Sequence, residues 1–111
     1  MGRWRVSDLD KKVCLVTGGS SGIGAAIATA FVSKGAHVVI ADVQDNDGLR
    51  LAKTLDAEYS HLDVVDEAAW GMCMDGIVSR HGRLDVVINN AGIFRRGTIE
   101  DVDLADWNQV M

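Results

Sequence analysis

The sequence predicts a doubly wound α/β domain on a parallel sheet of strand order 3-2-1-4, and three observations carry that prediction. Strand-like apolar runs alternate with helix-like amphipathic segments between Val13 and Ile88, the alternation of strand, crossover helix and parallel strand. The runs V-C-L-V at 13–16 and A-H-V-V-I-A at 36–41 are apolar almost throughout, as strands covered on both faces are. Between the first run and the first helix lies a glycine turn, Gly18 to Gly24. Right-handed crossovers then restrict the order to 3-2-1-4, and the crevice falls between strands one and four, where the winding reverses.

Residues 1–11 form a polar lead-in, with Trp4 placed to cover a sheet edge, and the domain runs from 12 to 111. Strand one is Val13 to Val16, ended by Thr17. After the turn, Ile23, Ala26, Ile27, Ala30 and Phe31 fall at i, i+3, i+4, i+7 and i+8 and predict one apolar helix stripe. Gly35 is placed to end that helix in a left-handed conformation. Strand two follows at 36–41 and ends at Asp42. A weaker helix over 45–56 uses Leu51, Ala52 and Leu55 as its inner face, and strand three, at 58–62, ends at Asp63. Asp66 caps the next helix, 66–81, whose stripe is Trp70, Cys73, Met74, Ile77 and Val78. Gly82 stops it. Strand four is 84–88, Asn89 to Gly92 make a turn, and Asp103 caps a last helix holding Ala105, Trp107, Val110 and Met111.

Length and composition exclude several classes. At 111 residues there is room for one domain. Eleven basic against sixteen acidic residues, a net charge of −5, argue against a dedicated nucleic-acid binder, which carries a basic face. No apolar run reaches the length of a membrane span. The start M-G-R-W-R-V lacks a signal-peptide core, and Val6 stands where myristoylation requires Ser or Thr. A cytoplasmic protein is expected. Cys14 and Cys73 fit no metal spacing, and they read as small buried hydrophobes. His37, His61 and His81 are scattered, so no metal site is predicted.

The glycine turn carries the chemistry. Gly18 can adopt backbone angles closed to other residues, Gly22 lets a ligand approach the main chain, and Gly24 lets the helix pack close. Unpaired N–H groups of the helix's first turn and the helix dipole favour an anion such as a pyrophosphate. The turn alone also fits an ordinary strand-to-helix bend. The spacing T-G-x-x-x-G-x-G, with glycines at 18, 22 and 24, differs from G-x-G-x-x-G, and no Gly-Lys-Ser/Thr follows to make a P-loop. Asp42 stands twenty residues beyond Gly22, the separation of a carboxylate that accepts from ribose hydroxyls. A 2′-phosphate there would meet like charge, and Ser20, Ser21 and Val43 supply no Arg or Lys to offset it, so NAD is expected over NADP. An Asp that merely caps the next turn is the alternative. Asp63 could accept from an adenine amino group beside the main-chain N–H of Val64. Asn89 and Asn90 could bridge strand four to its neighbours and to a nicotinamide ribose, with Gly92 allowing close approach. An isolated N-N-A-G run is more often just a turn.

Taken together, T-G-G-S-S-G-I-G at 17–24, Asp42, the Asp63-Val64 pair and N-N-A-G at 89–92 resemble the short-chain dehydrogenase/reductase family in order and spacing. The resemblance covers essentially the whole chain after residue 10. It implies a Rossmann-type fold and a nicotinamide cofactor held by Gly18, Ser20, Ser21, Gly22, Ile23, Gly24, Asp42, Val43, Asp63, Val64, Asn90, Ala91 and Gly92. It further implies hydride transfer between that cofactor and an alcohol or ketone, in a homodimer or homotetramer. The family's catalytic Asn comes in the helix that starts here at Asp103, then a Ser, then a Tyr-x-x-x-Lys. W-N-Q-V-M at 107–111 breaks off just before that Asn position, and the only tyrosine, Tyr59, is followed four residues on by Asp63. No catalytic residue is therefore assigned. The chain is expected to be the cofactor-binding half of a dehydrogenase, truncated before the catalytic half and inert alone. The alternatives are a dinucleotide-binding module without chemistry, or an interaction module pairing through the helix around Trp107.

Overall fold

In the computed structural model of the chain, which describes residues 9–90, strands and helices alternate as β1 (Val13–Thr17), α1 (Gly22–Ser33), β2 (His37–Asp42), α2 (Asp45–Leu55), β3 (Glu58–His61), α3 (Glu67–His81) and β4 (Val86–Asn89). All strand pairs are parallel, in the order β3-β2-β1-β4. This is the expected order of one half of a doubly wound sheet. The expected positions of Trp4, Ala91, Gly92 and the helix from Asp103 lie outside the described residues.

Neighbouring residues of β1 point into different halves of the core. Cys14 and Val16 join Ile27, Phe31, Ile40 and Ile88 on the side of α1 and α2. Val13 and Leu15 join Val39, Leu62, Trp70 and Ile77 on the side of α3. All five β1 residues are buried, which is why the run shows no polar alternation. The Cys14 thiol, buried and near Asp85, is pushed up to about 12 despite Lys12, so it packs as an inert hydrophobe.

The helices differ from expectation in which residues face inward. In α1 the buried residues are Gly24, Ile27, Ala28 and Phe31, while Ile23 is 57% exposed and Ala26 is exposed. The stripe is turned by one residue because the helix makes its closest approach at Gly24, which has no side chain for a periodicity count to register. In α3, Trp70, Met74 and Ile77 are buried and the Trp70 indole N–H donates to Val64 O at 2.7 Å. Val78, expected inside, is exposed. Asp66 caps this helix as expected, accepting from Ala69 N at 3.1 Å.

Strand boundaries follow from local hydrogen bonds. β2 starts at His37 because the Ala36 N–H still donates to Phe31 O, one of several bonds that close α1 around Gly35, whose φ is +90°. β4 starts at Val86, two residues later than expected. Its lead-in is a side-chain clip: Asp85 Oδ2 accepts from Val13 N at 2.9 Å, and the Asp85 N–H donates to Val13 O at 2.9 Å. Arg83 holds the same carboxylate in a fork, with contacts of 2.7 to 3.0 Å. Among the described residues no helix is long and apolar enough to cross a membrane.

Candidate functional site

Register decides what meets at the C-terminal edge of the sheet. Thr17 pairs with Ala41 on one side and Asn89 on the other, so the chain leaves β1 between the ends of β2 and β4. The Gly18 N–H continues the sheet by donating to Ala41 O at 2.8 Å, and Gly18 turns away with φ +63°. On the other flank the Thr17 hydroxyl lies 3.3 Å from Ile88 O and 3.2 Å from Asn89 Oδ1. Asn90 Nδ2 donates to Gly18 O at 3.3 Å. The glycine turn and Asn90 thus meet where β1 and β4 end.

The start of α1 is bare. Ser21 sits at the N-cap with extended backbone, its side chain makes no capping bond, and the first turn holds no acidic residue. The other two described helices are compensated: Asp45 and Asp47 lie in the first turn of α2, and α3 has the Asp66 cap followed by Glu67. N–H groups and the positive dipole end of α1 therefore face the space above the turn without a negative side chain of their own, which suits an anion. That space is open at Gly22, where an added Cβ would meet nothing within 4 Å. At Gly24 an added Cβ would lie 2.0 Å from Gly18 O and 2.9 Å from Asn90 Nδ2. Gly24 thus brings the helix against the turn's own carbonyl.

Asp42 closes the far side. It is 9% exposed, and its carboxylate binds two segments at once. Oδ2 accepts from Ser20 N at 3.2 Å and from Ser20 Oγ at 2.5 Å. Oδ1 accepts from Val43 N at 2.7 Å and Gln44 N at 3.2 Å. Burial pushes the carboxyl's pKa up, but the Ser20 side chain and main chain, with the Gln44 and Val43 N–H groups, outweigh it and hold Asp42 below the ordinary carboxylate value. It is ionised at neutral pH, as a partner for ribose hydroxyls needs to be. The same bonds make it the turn-capping residue of the alternative reading. Both roles reside in one side chain.

Of the residues marked out by sequence, Gly18, Gly24 and Asn90 contact one another, Asp42 binds Ser20 and Val43, and Ser21, Gly22 and Ile23 belong to the turn and the start of α1. Ile23 and Val43 are exposed, 57% and 53%. Asp63 and Val64 lie past the end of β3, and among the described residues no hydrogen bond joins them to the glycine turn. Asp63 Oδ1 accepts from Val65 N at 3.2 Å and Asp63 O from Asp66 N at 3.0 Å, while the Val64 carbonyl takes the Trp70 indole. These bonds form the turn that leads into α3.

Two features escaped the sequence reading. Thr17 staples β1 to β4 through its hydroxyl, where the sequence marked it as a strand end and the first residue of the glycine motif but gave it no contact; a hydroxyl closing an apolar strand before glycine was the available signal. Tyr59 and His61 converge on Asp45: Tyr59 Oη lies 2.5 Å from Asp45 Oδ1 and 2.7 Å from Asp42 O, and His61 Nδ1 lies 2.7 Å from Asp45 Oδ1. Burial and the carboxylates of Asp45 and Asp42 drive the phenol's pKa upward. Raised in this way, the phenol holds its proton more tightly than a free tyrosine does.

Comparison with known proteins adds the following. The family model described as short chain dehydrogenase matches residues 12–111. The chain is 40% identical over 119 residues to trans-4-hydroxycyclohexanecarboxylate dehydrogenase of Sinomonas cyclohexanicum, covering 96% of this chain and 46% of that protein. It is 44% identical over 102 residues to the 3-alpha-(or 20-beta)-hydroxysteroid dehydrogenase of Mycobacterium tuberculosis H37Rv, covering 90% of this chain and 39% of the relative. Among solved structures, hydroxysteroid dehydrogenase from Escherichia coli superposes with a TM-score of 0.73 at 26% identity, over 94% of this chain and 44% of that one. The chain spans less than half the length of these relatives.

Proposed function

Because the chain belongs to the short chain dehydrogenase family, we propose that residues 12–111 form one dinucleotide-binding domain, led in by 1–11, that holds NAD in the crevice between β1 and β4. The bare start of α1 beside the ionised Asp42 carries this reading. In it the pyrophosphate lies against the N–H groups of the first turn, over Gly22. Asp42 accepts from the adenosine ribose, with Ser20, Ser21, Ile23 and Val43 around it. Asp63 and Val64 flank the adenine. Asn90, Ala91 and Gly92 border the nicotinamide side. The buried negative charge of Asp42, with no Arg or Lys at Ser20, Ser21 or Val43, disfavours a 2′-phosphate and selects NAD over NADP.

When bound, the cofactor supplies hydride chemistry, exchanging hydride with a small-molecule alcohol or ketone in a cytoplasmic homodimer or homotetramer. This chain's residues bind, orient and discriminate. Its 111 residues contain no Tyr-x-x-x-Lys, and the protonated, hydrogen-bonded Tyr59 favours a second reading for the isolated chain: binding without turnover. Titrating purified chain against NADH and following cofactor fluorescence tests the site, with saturation expected and its absence in folded protein refuting it. Alcohol- or ketone-dependent turnover above a Gly22→Val control would refute the second reading.

A further inference from the structure

The four donors on Asp42 are not equivalent. Three are main-chain N–H groups, of Ser20, Val43 and Gln44, held by the end of β2 and by a turn pinned through Gly18 N to Ala41 O. Displacing any of them moves backbone. The fourth is the Ser20 hydroxyl, at 2.5 Å, and it leaves by rotation about one side-chain bond. A carboxylate offers about four lone-pair sites, so the four donors saturate Asp42. Ser20 and Asp42 are only 8% and 9% exposed, which limits water as a substitute donor.

We propose that Ser20 is a positioning residue that acts as a placeholder. Its hydroxyl keeps the buried Asp42 carboxylate saturated in the empty site and yields Oδ2 to a ribose hydroxyl when a dinucleotide binds. The proposal deepens the NAD reading and rests on it. It has a consequence that a merely structural serine lacks. Binding exchanges one hydrogen bond at Oδ2 for another, so the Ser20 bond stabilises the empty protein and opposes the ligand. Removing the hydroxyl leaves Oδ2 short of a donor until the ribose arrives. Empty-state stability and ligand affinity therefore move in opposite directions.

The test is Ser20→Ala in the full chain, with NADH titration and thermal unfolding of the ligand-free protein measured together. The expected result is a lower unfolding temperature and NADH binding tighter by about tenfold. Ser20→Thr, which keeps the hydroxyl, should bind NADH as wild type does. In an Asp42→Ala background, Ser20→Ala should leave affinity unchanged, since the placeholder acts only through the carboxylate. Binding by wild type but equal or weaker binding by Ser20→Ala would overturn the placeholder and leave the NAD site standing. Tightening by Ser20→Thr as large as by Ser20→Ala would also overturn it. No NADH binding by folded wild type would overturn the NAD site and the placeholder with it.

Discussion

Substituting Gly24 by alanine adds one methyl group where the geometry admits none. The new Cβ would stand 2.0 Å from Gly18 O, 2.7 Å from Gly18 C and 2.9 Å from Asn90 Nδ2. Ordinary contact begins near 3.4 Å, so turn and helix must part by about 1.4 Å, and the obstructing oxygen is backbone that no rotamer can move. Overpacking typically costs about 1–3 kcal/mol, and a rigid backbone obstacle places this site at about 3. For a domain of this size each kcal/mol lowers Tm by about 4–8 °C, which predicts a fall of roughly 12–24 °C. The displaced turn also carries the Ser20 donors and the start of α1, so NADH binding should be lost as well. Gly76→Ala is the control, because its Cβ would meet only Arg80 Nη1, at 3.1 Å, the end of a flexible side chain. A methyl there should be neutral or stabilise by about 0.5–1 kcal/mol. Circular dichroism melts of the two variants beside wild type make the assay. A Gly24→Ala melt within two or three degrees of wild type would refute the steric argument.

Three further outcomes follow from the same geometry. Asp85→Ala leaves the Val13 N–H and the Arg83 guanidinium without their acceptor and should destabilise by about 1–3 kcal/mol in urea unfolding, with NADH affinity in the remaining folded protein unchanged. Asp42→Ala should weaken NAD and narrow its advantage over NADP, and an unaltered ratio of dissociation constants would reduce Asp42 to a turn cap. For acid stability, burial raises the Asp42 and Asp85 carboxyls, but hydrogen bonds from Ser20 and its neighbours, and from Arg83 and Val13, bring both below their ordinary value of 3.8. A depressed carboxyl contributes fully above the unfolded value and loses that contribution as pH falls through the folded one. Tm should therefore hold from neutrality to about pH 5 and drop below pH 4, and the Asp42→Ala, Asp85→Ala double variant should show a shallower drop.

The strand order was legible because it rests on two robust signals, uninterrupted apolar runs and the handedness of crossovers. Inward faces were less so. A periodicity count assigns Ile23 to the core of α1, yet the true line of contact passes through Gly24, which contributes backbone to the interface and nothing to the count. That Gly18, Gly24, Asp42 and Asn90 lie near one another was legible because register alone brings the ends of β1, β2 and β4 together. The Ser20–Asp42 bond was not, because it depends on a side-chain rotamer in the turn and on how far Gly18 folds back over β2. The Asp63 carboxylate accepts from Val65 N, a local bond that its place at the end of a strand makes available.

The bare pole of α1 also sets how the molecule looks to an anion at a distance. With a net charge of −5 and acidic residues at the starts of α2 and α3, the chain as a whole repels an anionic dinucleotide at long range. Among the described helices α1 has the first turn without an acidic residue, and its attraction for an anion acts at short range. Salt at 0.1 M screens interactions beyond about 10 Å, so it removes the repulsion first and leaves the close contacts nearly intact. The encounter rate with NADH should therefore rise with ionic strength over the dilute range, the opposite sign to a protein that captures anions with a basic patch.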